Sequence, residues 1–107
     1  MPFTREYADP EPTRPEVRAL SGLSLLEFGA PWCGYCRRAE PLIAEALDEK
    51  PSIRHLKIAD GFGRRLGRFL GVKLWPTLVF LKDGKEFARV VRPVNAEAIR
   101  IALTHPR

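Results

Sequence analysis

A short apolar segment that leads directly into a cysteine pair constrains the fold of this chain more than any other feature. The segment, Leu23–Phe28, is followed by a glycine and is typical of a central strand that is covered on both faces. The cysteines, Cys33 and Cys36, follow at once, and a helical pattern of apolar residues begins just after them. The sequence therefore places Cys33 in the first turn of a helix that follows a buried strand.

The cysteine pair indicates redox chemistry. Cys33 and Cys36 are the two cysteines of the chain, and they are three residues apart. A thiol at a helix start faces unpaired backbone N–H groups and the positive end of the helix dipole, and both favour the thiolate. The thiolate is the reactive form of cysteine. Because residues three apart lie on one face of a helix, both sulfurs are within disulfide reach, and we predict a pair that cycles between dithiol and disulfide.

Length and charge exclude several classes of protein. A chain of 107 residues predicts one domain. The net charge is +5, but the basic residues are spread along the chain with no run of five, so we predict no nucleic-acid partner. No apolar stretch has the form of a signal segment or the length of a membrane span, so we expect a cytoplasmic protein with no membrane partner.

Three other roles of the cysteine pair are less favoured. A structural disulfide is uncommon in the cytoplasm. A structural zinc ion takes four ligands, and neither His55 nor His105 lies at a ligand spacing from the pair, so we predict no metal and no bound cofactor. Two inert core cysteines are the third alternative. The spacing at a helix start favours the redox role over all three.

The rest of the chain predicts alternating helices and strands. Residues 1–15 hold four prolines and are predicted to be an extended arm, with a short edge strand near Phe3–Tyr7, and residues 16–107 are predicted to be the folded domain. A capping box at Thr13 opens the first helix. That helix is predicted to run from the cap, with Pro15 just inside its start, through Leu20. Further helices are predicted over 34–50, 62–70 and 96–103, and strands over 23–29, 53–59, 77–81 and 87–91. This order predicts a mixed sheet with helices on both faces.

Several landmarks occur in the order in which the thioredoxin family has them. They are Glu27, the Trp-Cys-Gly-Xaa-Cys motif, Pro41, the Trp75–Thr77 segment and Gly84, and over about residues 16–104 the chain resembles that family. The resemblance implies an α/β three-layer sandwich with a mixed sheet of four or five strands and a cis peptide bond at Pro76. It also implies a thiol–disulfide oxidoreductase that reduces or isomerises disulfides of protein substrates. A reductase or another dithiol would return the electrons.

The resemblance also implies roles for individual residues. Cys33 attacks the substrate disulfide, and Cys36 resolves the mixed disulfide. Glu27 stands where the family has an aspartate, and it would relay a proton to Cys36. Its alternative role is a structural acid paired with Lys57 on the neighbouring strand, while His55 stands roughly where the family has a lysine near the buried acid. For the whole protein, the alternative function is a non-catalytic redox-sensing interaction domain.

Six further residues are predicted to contact the substrate. They are Trp32, Gly34, Tyr35, Trp75, Pro76 and Arg92. Trp75 stands where the family usually has isoleucine or valine, which predicts a more aromatic groove. Arg92 replaces a family glycine, and with Arg37, Arg38 and Lys73 it forms either a positive rim that attracts acidic partners or a solvated face. Tyr35 replaces the proline of reductant thioredoxins, which predicts a less reducing site.

Overall fold

The protein consists of a four-stranded mixed sheet with helices on both faces. The computed structural model describes residues 3–104. Met1, Pro2 and residues 105–107, which include His105, lie outside the described residues. The strands are β1 (Leu23–Gly29), β2 (Arg54–Ala59), β3 (Thr77–Lys82) and β4 (Lys85–Val91), in the spatial order β2-β1-β3-β4. The helices are α1 (Arg14–Arg18), α2 (Gly34–Leu47), α3 (Leu66–Phe69) and α4 (Ala96–Leu103).

Strand β1 joins the parallel and antiparallel parts of the sheet. It runs parallel to β2, which places Glu27 opposite Lys57, and antiparallel to β3. β3 and β4 form a hairpin through Asp83 and Gly84, whose φ angles are 50° and 79°. Positive φ at both residues is what a two-residue type I′ turn requires. Six of the seven residues of β1 are buried, which confirms the predicted central strand.

Each face of the sheet carries its own apolar core. On one face, buried side chains of the sheet pack with α2 and α4, and they include Leu25, Ile43, Phe80 and Ile99. On the opposite face, Leu26, Phe28, Val17 and Leu66 belong to a second core with α1 and α3. Successive residues of a strand point to opposite faces, so β1 supplies both cores. The predicted α/β sandwich with a mixed sheet is confirmed.

The predicted helix over residues 62–70 is wrong in its first half. Only Leu66–Phe69 is helical, and the segment before it is irregular. Gly61 and Gly63 have φ angles of 130° and 80°, which lie outside the helical region. Arg65, at the N-cap, makes no side-chain capping bond. The apolar spacing therefore predicted the existence of α3, but the positive φ angles of Gly61 and Gly63 are not helical, and the helix begins only at Leu66.

The capping box predicted at Thr13 is present. The Thr13 hydroxyl accepts a hydrogen bond from the Glu16 amide at 3.2 Å, and the Glu16 carboxylate accepts one from the Thr13 amide at 2.8 Å. Helix α1 begins at Arg14, directly after the cap as predicted, and ends at Arg18, two residues before the predicted end at Leu20. The reciprocal bonds satisfy two amides that a helix start otherwise leaves unpaired.

The N-terminal segment lies along the edge of the sheet beside β2. Tyr7 forms an isolated parallel bridge with Lys57, and the Ala8 amide donates to the Lys57 carbonyl at 2.7 Å. The edge strand predicted near Phe3–Tyr7 is thus reduced to a single bridging residue. The contacts of Tyr7 and Ala8 nevertheless hold the segment against β2, the edge strand that neighbours β1.

Candidate active site

The two cysteines lie at the junction of β1 and α2. Cys33 is the N-cap of α2, and its backbone is extended, with φ −81° and ψ 118°. Its sulfur accepts a hydrogen bond from the Cys36 amide at 3.2 Å, one of the amides that have no partner inside the helix. Both cysteines are free thiols. An N-cap acceptor of this kind is stabilised further when it carries negative charge.

Both sulfurs are enclosed. Cys33 is 6% exposed and Cys36 is 3% exposed. The two cysteines and Ala30 form a small apolar cluster, and Trp75 packs against it. Burial raises the pKa of the Cys36 thiol to about 12, and the neighbouring sulfur of Cys33 and the charge of Glu27 add to the effect. At neutral pH, Cys36 is therefore a protonated thiol.

The buried acid of β1 pairs with a histidine of β2. Glu27 is fully buried, and its Oε1 lies 2.9 Å from Nε2 of His55, which is also buried. The alternative pairing of Glu27 with Lys57 is wrong, whereas His55 lies near the buried acid as the family resemblance implies. Lys57 lies opposite Glu27 in the register, but its Nζ donates to Oε2 of Glu40 at 2.7 Å, a group nearer to solvent. Instead, the imidazole of His55 lies beside Glu27. His55 is two residues before Lys57 on the same face of β2, and its side chain is shorter than that of the lysine.

One oxygen of the buried acid stays free. Oε2 of Glu27 has no hydrogen-bond partner among residues 3–104. An unsatisfied buried carboxylate oxygen is costly in a folded protein and points to a function. Because the charge of Glu27 raises the pKa of Cys36, the two groups lie within electrostatic reach of each other.

Two residues of this site, Gly29 and Tyr7, were not singled out from the sequence. A Cβ at Gly29 would lie 2.5 Å from Sγ of Cys36 and 3.5 Å from the Tyr7 hydroxyl, so the thiol sits directly against the backbone of β1. A glycine in a strand is a signal for such a close approach. Burial raises the pKa of Tyr7, and the nearby charges of Cys36 and Glu27 raise it further. No local signal marks Tyr7, because its position depends on how the N-terminal segment docks.

Two tryptophans flank the cysteines. Trp32 is 71% exposed and meets Trp75 edge to face, with the ring centroids 5.3 Å apart. The Trp75 indole donates to Oδ2 of Asp60 at 2.8 Å, which fixes the orientation of its ring. The peptide bond from Trp75 to Pro76 is cis. The aromatic surface that the sequence predicts at Trp75 is thus shared with Trp32.

Two arginines enclose the ring of Tyr35. The Arg92 guanidinium lies 3.8 Å from the ring centroid, and that of Arg38 lies 4.7 Å away. Nε of Arg92 also donates to the Trp75 carbonyl at 2.8 Å. Cations over an aromatic face are attracted by its quadrupole, so the three side chains support one another. The structure therefore brings together Tyr35, Trp75 and Arg92, three of the residues singled out from the sequence.

The remaining predicted residues lie at different distances from this group. Gly34 is the first residue of α2, between the cysteines, and a Cβ there would meet Arg38 Nη1 at an ordinary 3.6 Å. Lys73 lines a separate depression with Asp60 and Arg68. Beside Tyr35, a groove of about 520 Å³ runs between α2 and the loop after β4, and its lining includes Leu42 and Val94. Of the four basic residues named for the positive rim, Arg38 and Arg92 line this partly apolar groove, whereas Arg37 and Lys73 do not.

Comparison with known proteins places the chain in a family. The family model for thioredoxin matches residues 10–105. The chain belongs to the thioredoxin family. Among solved structures, thioredoxin 2 from Pseudomonas aeruginosa PAO1 in its reduced form has 50% sequence identity and a TM-score of 0.83, and the match covers 94% of each chain. Thioredoxin from Fasciola hepatica has 31% identity and a TM-score of 0.67, with 78% of this chain and 80% of that one covered.

Curated relatives agree with the structural matches. Thioredoxin H-type 1 of Nicotiana tabacum is 34% identical over 83 residues, which is 78% of this chain and 66% of that protein. The thioredoxin of Chlamydia muridarum is 39% identical over 71 residues, which is 66% of this chain and 70% of that protein. The matched part thus spans about two thirds of the length of these relatives.

These matches support the activity that the sequence predicts. The thioredoxin family, its named members and the matching structures support a thiol–disulfide oxidoreductase with a redox-active cysteine pair, and they do not favour the non-catalytic sensor. Members of the family act on disulfide substrates and are reduced by thioredoxin reductase. Within residues 3–104, no helix is long and apolar enough to span a membrane.

Proposed function

We propose that the protein reduces disulfide bonds of protein substrates, with Cys33 as the attacking thiol and Cys36 as the resolving thiol. The observation that carries this assignment is the hydrogen bond from the Cys36 amide to the Cys33 sulfur at the N-cap of α2. A hydrogen bond to a charged acceptor is stronger than one to a neutral acceptor, so this amide favours the thiolate of Cys33. The positive end of the helix acts in the same direction.

The reaction is two successive exchanges. The Cys33 thiolate attacks one sulfur of a substrate disulfide, a new bond joins Cys33 to the substrate, and the other substrate sulfur leaves as a thiolate and takes a proton. Cys36 then loses its proton and attacks the Cys33 sulfur, which closes the Cys33–Cys36 disulfide and releases the second substrate thiol. Two electrons pass to the substrate, and a reductase or dithiol donor returns them in the reverse sense.

The two exchanges require different protonation states of Cys36. Cys36, whose pKa is about 12, is a poor first attacker at neutral pH and must be deprotonated for the second exchange. We assign Glu27 as the base that takes this proton, because its Oε2 is buried and unpartnered. Replacing Glu27 with glutamine is expected to slow the second exchange and to change its pH profile. An unchanged profile would remove the proton role.

The substrate would lie across the aromatic and basic surface beside the pair. Trp32, Gly34, Tyr35, Trp75 and Pro76 supply its centre, and an extended substrate strand would use the backbone before Pro76, a form of strand addition. Arg92, at the side of this surface, favours a substrate with acidic residues near its disulfide.

Tyr35 between the cysteines supports a site that is less reducing than one with proline there. A redox titration of the Cys33–Cys36 couple against glutathione decides between reductase and isomerase. We place the activity in the cytoplasm, with disulfide-containing proteins and a reductase or another dithiol as the partners.

Multiple turnover is the test of the proposed function. With insulin as substrate and dithiothreitol as the regenerating reductant, the protein is expected to reduce many equivalents of disulfide, and the Cys33→Ser variant none above the reagent alone. A redox sensor would react once and stop. Turnover by the Cys33→Ser variant at the rate of the unmodified protein would refute the assignment of Cys33.

A further inference from the structure

We propose that the backbone amide of Thr4 is a positioning group for the second exchange, because it fixes the proton of His55 and thereby orients Glu27. This inference rests on the proposed function, in which Glu27 receives the proton of Cys36. The evidence lies in contacts between the N-terminal segment (Phe3–Ala8) and the buried pair of β1 and β2, all of them outside the cysteine motif.

The Thr4 amide determines which nitrogen of His55 carries the proton. It donates a hydrogen bond to Nδ1 of His55 at 2.7 Å. An amide N–H is only a donor, so Nδ1 must be the unprotonated acceptor of the ring. The ring proton therefore lies on Nε2, and Nε2 donates to Oε1 of Glu27 at 2.9 Å. The imidazole is neutral and has one tautomer.

The tautomer in turn determines what Glu27 can accept. With Oε1 bonded to His55, the free oxygen is Oε2, which is buried and unpartnered among the residues described. With the proton on Nδ1 instead, the Nε2 lone pair would face Oε1, and Glu27 would have to hold a proton on that oxygen. A carboxyl group that already holds a proton is unable to take the one that Cys36 loses. The Thr4 amide thus keeps Glu27 available as an acceptor.

Further contacts hold the segment in place over the pair. The Thr4 hydroxyl donates to the His55 carbonyl at 2.9 Å, and the Phe3 ring lies against the imidazole with the centroids 5.2 Å apart. Lys57 Nζ donates to the Arg5 carbonyl at 3.3 Å, and its ammonium lies 4.9 Å from the centroid of the Tyr7 ring. Because these contacts cover the outer side of β2, His55 is buried although it lies on an edge strand of the sheet.

Titratable side chains from three other parts of the fold surround Glu27 and His55. The titratable groups are Glu27 on β1, Lys57 on the strand of His55, Cys36 and Glu40 on α2, and Arg5 and Tyr7 on the N-terminal segment. Lys57 is bonded to Glu40, and Arg5 lies 3.7 Å from the same carboxylate. Two cations and one carboxylate leave a net positive charge beside the pair, which favours the charged form of Glu27. The hydrogen bond from Thr4 is the contact that selects the tautomer of His55.

The test replaces Thr4 with proline, which removes the amide proton. Glu6→Pro is the matched control, because it places a proline in the same segment at an exposed residue away from His55. The second exchange is followed by single-turnover release of thiol from the mixed disulfide. The Thr4→Pro variant is expected to be about tenfold slower in this step, the effect of losing one hydrogen bond, with the first exchange unchanged. The Glu6→Pro variant is expected to stay within about twofold of the unmodified protein.

Nitrogen NMR of the His55 ring gives a second measurement that does not depend on activity. The unmodified protein and Thr4→Val, which keeps the amide, are expected to show the Nε2–H tautomer, and Thr4→Pro is expected to lose it. A proton on Nδ1 in the unmodified protein would overturn the inference even if Thr4→Pro did not fold. Equal slowing by both prolines, or by neither, would also overturn it. If the unmodified protein reduced no disulfide while showing the Nε2–H tautomer, the proposed function would fail and the tautomer assignment would stand.

Discussion

Replacing Gly29 with alanine is a direct test of the close contact between β1 and the resolving thiol. The added Cβ would lie 2.5 Å from Sγ of Cys36, whereas non-bonded heavy atoms pack best at about 3.5–4.0 Å. The sulfur would have to move by about 1 Å within a buried cluster. Overpacking of this kind costs about 1–3 kcal/mol. We expect the reduced variant to lose about 2 kcal/mol of unfolding free energy, which lowers the folding equilibrium constant about thirtyfold.

Urea unfolding of the reduced protein measures this loss. Gly34→Ala is the matched control, because its new Cβ would make an ordinary contact of 3.6 Å with Arg38 Nη1. It adds the same methyl group on the other side of Cys33 and is expected to lose no stability. If Gly29→Ala and the unmodified protein unfold at the same urea concentration, the thiol does not lie against this glycine as described, and the reasoning is refuted.

Three further predictions concern pH, charge and helix capping. The pKa of Cys36 is raised from 9.0 to about 12, so the thiol loses its proton at lower pH in the unfolded chain than in the folded protein. The reduced protein is therefore expected to lose stability as the pH rises from about 9 towards 12. In urea unfolding at pH 8 to 10.5, the Cys36→Ser variant should lack this loss. Arg92→Ala is expected to raise KM for an acidic disulfide peptide about three- to tenfold at low salt and to weaken the salt dependence of KM. Arg37→Ala makes the same change in net charge and is expected to leave both quantities unchanged. Equal effects of the two variants would indicate general electrostatic attraction. Thr13→Ala is expected to lower the unfolding free energy by about 1 kcal/mol, and an unchanged urea midpoint would contradict the capping box.

Features that depend on neighbouring residues were predictable from the sequence. The hairpin turn at Asp83 and Gly84 follows from the preference of these residue types for positive φ, and the structure shows 50° and 79°. Helix α4 begins where Asn95 caps it, with the Asn95 side chain accepting from the Ala98 amide at 2.9 Å. The position of Cys33 at the start of α2 follows in the same way from the end of the apolar strand. In each case the residues that determine the geometry are within a few positions of it.

Features that depend on register and docking were not predictable. Lys57 is opposite Glu27 in the sheet, yet His55 takes the bond to Glu27 because Glu40 on α2 binds the lysine. The role of Thr4 depends on a segment that meets β2 more than 50 positions away in the sequence. Local spacing alone does not show which of two basic side chains reaches a buried acid, and it was the family resemblance that placed His55 near Glu27. That choice is made by tertiary contacts.

Trapping of a mixed disulfide distinguishes the attacking thiol from the resolving thiol. In the Cys36→Ser variant, Cys33 is the one remaining cysteine of the chain, so any adduct on sulfur has a single possible site. After incubation with a disulfide substrate, we expect a stable species whose mass is the sum of the protein and one substrate chain. The Cys33→Ser variant should form no such species under the same conditions. An adduct on Cys36 in that variant, formed as fast as the one on Cys33, would contradict the assignment of attacking and resolving thiols.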